Sequence, residues 1–522
     1  MSADALPSPT AEEVSTHSKS GRILLALALV SGLVHCAPLL SDVPLALDEH
    51  ASYWTIDPET GTSVWDLCQR YLATPPLGHW VQQFVVAVCG ASERTLRAPS
   101  AVALLLSILV VYRIGAGLGS TLTGGAAALI LAWHPLVLDE VRIARCYGLV
   151  VLLSACLVDV TLRWTRSDDQ QRWAWVWGVT AALLVWTHYV AIPFVGLCWF
   201  VPAGTWLLQG RLRPRTMASL LLAAGLSIAL CWPLLPAVLR VHAWGDSWHL
   251  FATRVPVLDL IGSDWWLGLP LAIAASWLTG RTGGPATKDT PSATGWRITA
   301  AQLALLAFGL TVAGAAAQWA GQSSLASSRY RTSSAVPGAL LFAHVLTWRP
   351  WFRNVLAAAL VGIVATWSVL DHFPWRAVRL GNPMDYAWHD MALAIEAEGA
   401  PGEPVFIQAG VIEGMLLPAF YEDSTFDEYI AFAMSRFYLR ADHPRYGLPY
   451  HWQRPAEMAG WYRQRMNARP GGRTWLAAAA DTDLNQASID GFDAIARRTG
   501  LTLESKVQFG PAVLRCYIRP AP

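Results

Sequence analysis

The chain has 522 residues, of which 54% are hydrophobic and only 14% charged, with a net charge of +1. Soluble proteins carry about 25% charged residues, so this composition and its long apolar runs exclude an ordinary soluble enzyme and point to a polytopic membrane protein. The near-neutral balance implies neither a nucleic-acid nor an acidic partner, and the eight cysteines lack the CxxC or Cys/His spacing of a zinc or disulfide framework.

Residues 1–21 are polar, hold Pro7 and Pro9, and read as a disordered cytoplasmic tail. The apolar run Ile23–Leu40 is long enough to span a bilayer, exceeds a signal h-region and has no clear A-x-A cleavage site. It is expected to be an uncleaved first helix with the N-terminus inside. The acidic pair Asp48-Glu49 then lies outside. Charge inside a bilayer costs on the order of 2.5–3.5 kcal/mol, so such groups sit at helix ends or do work. The pair is therefore either two solvated loop acids ending a helix or part of a site at the membrane surface. Residues 41–96 form a first outside loop, polar and aromatic. Its one amphipathic run, Pro76–Val88, is too short to span and is expected to lie along the membrane surface, introduced by Thr74-Pro75-Pro76-Leu77-Gly78-His79.

Further spans are expected at 98–117, 121–138, 147–164, 173–191, 192–209 and 216–237. Two basic clusters test the topology: Arg163, Arg166 and Arg172, then Arg211, Arg213 and Arg215. Both fall inside, as the positive-inside rule requires. The exception is Asp139-Glu140-Val141-Arg142-Ile143-Ala144-Arg145-Cys146-Tyr147, which falls outside. Arginines beside acids at an outer helix mouth are candidates for holding an anion, or for a local ion cluster that caps two helices. The loop from Ala237 to Gly262 carries scattered polar residues without a metal pattern. Spans at 263–279, 298–317 and 332–347, with a last one ending near Leu370, bring the total to about eleven. Arg329 and Arg331 lie outside, before the span at 332–347. Residues 371–522 carry charge throughout and no span. Runs at 404–408, 473–477 and 512–518 read as strands, and 386–398 and 489–499 as helices, giving a soluble extracytoplasmic α/β domain.

Four stretches, in order, resemble a known family. Asp48-Glu49 follows the first span. Thr74-Pro75-Pro76-Leu77-Gly78 is similar to a His-Pro-Pro-Leu-Gly stretch. Arg97-Ala98-Pro99-Ser100-Ala101 is similar to Arg-Leu-Pro-Ala/Ser, and Ala144-Arg145-Cys146-Tyr147 to Ala-Arg-x-Tyr. Thr187-His188-Tyr189 and Ser328-Arg329-Tyr330 add weaker matches. Over residues 22–345 the chain resembles the C-type glycosyltransferases, polytopic enzymes that use a lipid-phosphate-linked sugar. Within them it is most similar to the protein O-mannosyltransferases and the lipid A aminoarabinose transferase. It departs at His79, where lysine or tyrosine is usual. It departs again at Arg142-Ile143, where the family has Gln-Glu; that acid is displaced to Asp139 or Glu140.

The resemblance implies a membrane glycosyltransferase domain over 22–370, followed by the soluble domain of 371–522. It implies transfer of a sugar from a polyprenyl-phosphate donor to a hydroxyl acceptor at the extracytoplasmic face of the inner membrane. A hydroxyl is a weak nucleophile, so a carboxylate must take its proton as attack proceeds. Asp48 is assigned that role, with Glu49 assisting or orienting. One base without a covalent intermediate inverts the anomeric centre. Negative charge develops on the departing phosphate, which suits the paired donors of arginine. Arg145 and Arg329, with Tyr330, are the candidates. His79, Glu140, Arg142, Tyr147 and His188 are further candidates for substrate contact. No cofactor is required and no metal ligands are assigned, though a divalent cation is compatible with the chemistry. The competing functions are a lipid or solute transporter, which wants broken or polar helices at mid-membrane, and a scaffold with an outer binding domain.

Overall fold

The apolar runs fold as helices. The computed structural model describes residues 11–37, 43–72, 74–249, 255–256, 293–322, 326–347, 383–417, 422–439, 443–449, 455–466 and 471–521. In chain order the helices are α1 (Ala11–Cys36), α2 (Leu47–Ile56), α3 (Val64–Arg70), α4 (Pro76–Cys89), α5 (Glu93–Leu118), α6 (Thr121–Ala132), α7 (Pro135–Val141), α8 (Tyr147–Arg166), α9 (Gln170–Thr187), α10 (Ile192–Leu208), α11 (Pro214–Cys231), α12 (Leu235–His249), α13 (Ala293–Trp319) and α14 (Ala335–Leu346). Toward the C-terminus come α15 (Pro383–Glu398), α16 (Ser424–Ile430), α17 (Pro455–Arg465) and α18 (Asp483–Arg498), interleaved with β1 (Val405–Gln408), β2 (Arg445–Gly447), β3 (Arg473–Ala479), β4 (Thr502–Phe509) and β5 (Ala512–Ile518).

These elements make two units. One comprises Met1–Leu40, Arg97–Pro236 and Ala252–Arg376; the other comprises Ser41–Leu96, Ala237–Phe251 and Ala377–Pro522. Residues 41–96, grouped with the membrane part on sequence grounds, thus belong to the same unit as the C-terminal residues.

The first unit is a helical membrane body. Among the described residues six helices are long and apolar enough to cross a bilayer: Lys19–Cys36, Glu93–Leu118, Tyr147–Arg166, Tyr189–Leu208, Pro214–Trp244 and Arg297–Trp319. The pair α6 and α7, bent by 53°, makes a seventh if taken as one span. The bend falls at His134-Pro135, where proline supplies no amide to continue the ladder. The spans expected at 263–279 and up to Leu370 lie outside the described residues. Those expected at 173–191 and 332–347 correspond to α9 and α14. Neither is among the six, because α9 opens on Gln170-Gln171-Arg172 and α14 is only 12 residues long. The tail expected to be disordered is partly helical, since α1 begins at Ala11.

Helices in lipid associate through close packing and small residues rather than through loss of water. Gly125 of α6 shows this: a Cβ there would meet the carbonyl oxygen of Gly21 on α1 at 2.5 Å. Deeper in the body Trp164 meets Trp177 and Trp206 with ring centroids 5.8 and 5.6 Å apart. Trp177 Nε1 donates to Thr161 Oγ1 at 3.0 Å. Gln302 Nε2 donates to Thr205 Oγ1 at 2.8 Å, tying α13 to α10.

The second unit is built on a five-stranded sheet of order β2-β1-β3-β5-β4. β2, β1 and β3 run parallel, while β5 is antiparallel to both β3 and β4. Side chains alternate across β1. Val405 and Ile407 join Trp388, Met391 and Ile395 of α15 in one core, whereas Phe406 meets Phe492 of α18 at 4.9 Å. Helices therefore cover both faces. The expected strands and helices at 404–408, 473–477, 512–518, 386–398 and 489–499 coincide with β1, β3, β5, α15 and α18. The edge strand β4 is exposed along nearly its whole length, and its Glu504 and Lys506 mask its strand character in the sequence.

Candidate active site

The basic and aromatic candidates gather in the first unit. After α7 the chain makes a short non-helical turn over 142–146 before α8 begins. The Arg145 amide donates to the Ile143 carbonyl at 2.7 Å. Ser100 of α5 holds this turn from outside it: its Oγ donates to the Arg145 carbonyl at 2.8 Å. Gly148, in the first turn of α8, permits the approach. A Cβ at that position would sit 2.7 Å from both the Cα and the carbonyl oxygen of Ser100.

Tyr147 follows Arg145 and is buried, its ring 5.3 Å from that of His188. The His188 ring in turn lies 5.7 Å from that of Tyr330. His188 caps the C-terminus of α9, and its Nδ1 accepts the Val190 amide at 3.2 Å. In the neutral ring this leaves the proton on Nε2, available as a donor. The charges of Arg145 and Arg329 both act on His188 and on Tyr147. Tyr147, His188 and Tyr330, up to 183 positions apart in sequence, therefore form one aromatic cluster, and Arg145 and Arg329 lie near enough for their charges to reach it. Two guanidiniums, two phenols and an imidazole can supply donors to an anion.

Arg142 opens the turn over 142–146 and Glu140 lies in the last turn of α7. Arg142 caps α7 and feels the charge of Asp139. The charge of Glu140 reaches Cys146. Ser100 and Gly148 had no assigned role from sequence. Ser100 did lie inside the quoted stretch Arg97-Ala98-Pro99-Ser100-Ala101; Gly148 follows Ala144–Tyr147 directly.

The acidic pair belongs to the second unit. Asp48 and Glu49 lie in the first turn of α2, where negative charge complements the helix dipole. The two carboxylates differ. Glu49 is fully buried, and its Oε2 accepts the Ala46 amide at 2.7 Å, the reach-back of a capping residue. Asp48 stays partly exposed. His79, in the first turn of α4, is buried with its Nε2 3.0 Å from Thr74 Oγ1. It closes the Thr74-Pro75-Pro76 turn onto the helix that follows. Among the described residues no three His, Cys, Asp or Glu side chains gather as metal ligands.

Residues 73–236 match a protein family described as dolichyl-phosphate-mannose-protein mannosyltransferase. The fold is similar to that of ArnT from Cupriavidus metallidurans in two crystal structures. With the form bound to undecaprenyl phosphate the TM-score is 0.60 at 14% identity, covering 96% of this chain and 99% of that one. With the apo form it is 0.58 at 15% identity, covering 97% and 100%. No curated protein sequence matches significantly.

Proposed function

We propose that this multi-pass chain is a C-type glycosyltransferase, which transfers a sugar from a polyprenyl-phosphate carrier to a hydroxyl acceptor at the extracytoplasmic face of the cell's inner membrane. The observation that carries this reading is the cluster of Arg145 and Arg329 with Tyr147, His188 and Tyr330. It is a site for an anion, assembled from three stretches of a membrane-spanning unit. The ArnT structure of the same fold holds undecaprenyl phosphate, which supports a lipid-linked phosphate as the anion.

In this mechanism Arg145 and Arg329 bind the donor phosphate and neutralise the charge that develops as the glycosidic bond breaks. Phosphate is a good leaving group, so no general acid and no cofactor are needed. Asp48 takes the proton of the acceptor hydroxyl as it attacks the anomeric carbon, and a single displacement inverts that centre. Glu49 holds the start of α2 through Ala46, which leaves Asp48 as the base.

Purified protein supplied with polyprenyl-phosphate sugars tests the assignment. Asp48→Asn is expected to lower transfer by about 10²-fold or more, with an unchanged melting temperature and gel-filtration profile. Transfer at the native rate by this variant would refute the role of Asp48. The 53° break between α6 and α7 is the feature a transporter would use. Flux of labelled lipid without turnover of any sugar donor would favour that second reading.

A further inference from the structure

Four consecutive residues of the C-terminal sequence grip α2 along its length. Ser435 Oγ shares a hydrogen bond with His50 Nδ1 at 2.9 Å. Arg436 reaches just past the end of α2, with Nη1 3.3 Å from Asp57 Oδ2 and Nε 3.3 Å from Glu59 Oε2. Its own guanidinium is held by Glu428 at 2.9 Å, and Glu428 also binds Arg445 at 2.8 Å. The Phe437 ring lies edge-on to Tyr53 at 5.0 Å. Tyr438 works at the other end: its hydroxyl accepts the Leu45 amide at 3.0 Å and donates to Glu93 Oε1 at 3.0 Å, while its ring meets His50 at 5.3 Å.

The contacts fall before α2, in its middle and after it. Together they fix both its position along the axis and its rotation about that axis. Asp48 lies between the points held by Tyr438 and Ser435. An ordinary packing contact would need only the apolar residues, such as Leu47, which rests against the sheet core. Here directed hydrogen bonds and a buried imidazole are used instead. Directed contacts of this kind hold a reacting group in register, and a misplacement of about 1 Å can cost 10²-fold in rate.

We propose that Ser435–Tyr438 is a clasp that positions α2, and through it the Asp48 carboxylate, for the transfer step. The proposal rests on the reading of Asp48 as the base. Ser435, Arg436 and Tyr438 are then positioning residues, which act through α2.

The test uses the full-length protein with a polyprenyl-phosphate sugar donor. Tyr438→Phe removes one oxygen and both its hydrogen bonds; Ser435→Ala removes another. Each is expected to lower kcat about tenfold, with the donor KM changed less than about twofold, because the phosphate-binding residues are untouched. Arg473→Gln is the control. It breaks the 2.8 Å Arg473–Glu504 pair between the start of β3 and the edge strand β4 and should leave kcat within about twofold. The kcat/KM split separates positioning from general loss of stability. If Tyr438→Phe does not fold, Ser435→Ala decides. If both variants keep native kcat, or lose no more than Arg473→Gln, the clasp is refuted while Asp48 stands. If Asp48→Asn transfers sugar at the native rate, the base assignment fails and the clasp falls with it.

Discussion

At Gly148 a single hydrogen atom decides where a guanidinium stands. The turn carrying Arg145 is held by Ser100, and Ser100 can reach it only because residue 148 has no side chain. Gly148→Ala puts a methyl 2.7 Å from backbone that cannot yield without moving α5 or α8. Overpacking of this kind costs about 1–3 kcal/mol. The variant is expected to melt lower than the native protein and to show a raised donor KM, read by thermal unfolding and by transfer kinetics. A native KM would mean that Arg145 does not depend on this contact. The same scale separates the acidic pair. Adjacent carboxylates look interchangeable in sequence, yet one is buried as a helix cap and the other partly exposed.

Among the elements, α16 carries a buried acid whose behaviour can be measured directly. Asp427 is 2% exposed and its Oδ1 accepts the Gly447 amide of β2 at 2.7 Å. Burial pushes its pKa well above the ordinary carboxylate range; the Gly447 bond and Arg465 act against this without reversing it. The folded state therefore holds this proton more tightly than the unfolded chain. The stability involved is fully present below the ordinary carboxylate pKa and is lost as pH rises toward the raised one. Asp427→Asn keeps an acceptor for Gly447 and removes the titration. Its melting temperature is expected to fall less with rising pH than that of the native protein, followed by thermal unfolding from pH 4 to 8. Parallel profiles would show that Asp427 is ionised in the folded state. Elements also account for the difference in spans. The run at 332–347 is mostly apolar, but its first residues, Thr332-Ser333-Ser334, end the 3₁₀ turn Ser328–Ser334 that carries Arg329 and Tyr330, leaving a 12-residue helix.

For the molecule as a whole, the grouping of residues 41–96 with 377–522 has a consequence of its own. Leu47 packs on the sheet core, and Leu45, His50, Tyr53 and Asp57 are all held by residues 435–438. A chain ending at Arg376 would leave the first loop without these partners. Limited proteolysis of that truncated protein is expected to cut within 41–96, where the intact protein is protected. Equal protection would show that the loop folds without the C-terminal sheet.

Composition and periodicity alone established a multi-pass membrane protein followed by an α/β domain, because apolar runs of bilayer length and alternating strands are written locally along the chain. The ordered motifs around Arg145, His188 and Tyr330 were legible in the same way, each as a short string. That their side chains meet was decided only by tertiary packing, since Tyr147, His188 and Tyr330 lie on separate segments. The same holds for the partner of α2. Nothing near Asp48 in sequence points to Ser435 or Tyr438, because hydrogen bonds between residues almost 400 positions apart leave no local pattern to read.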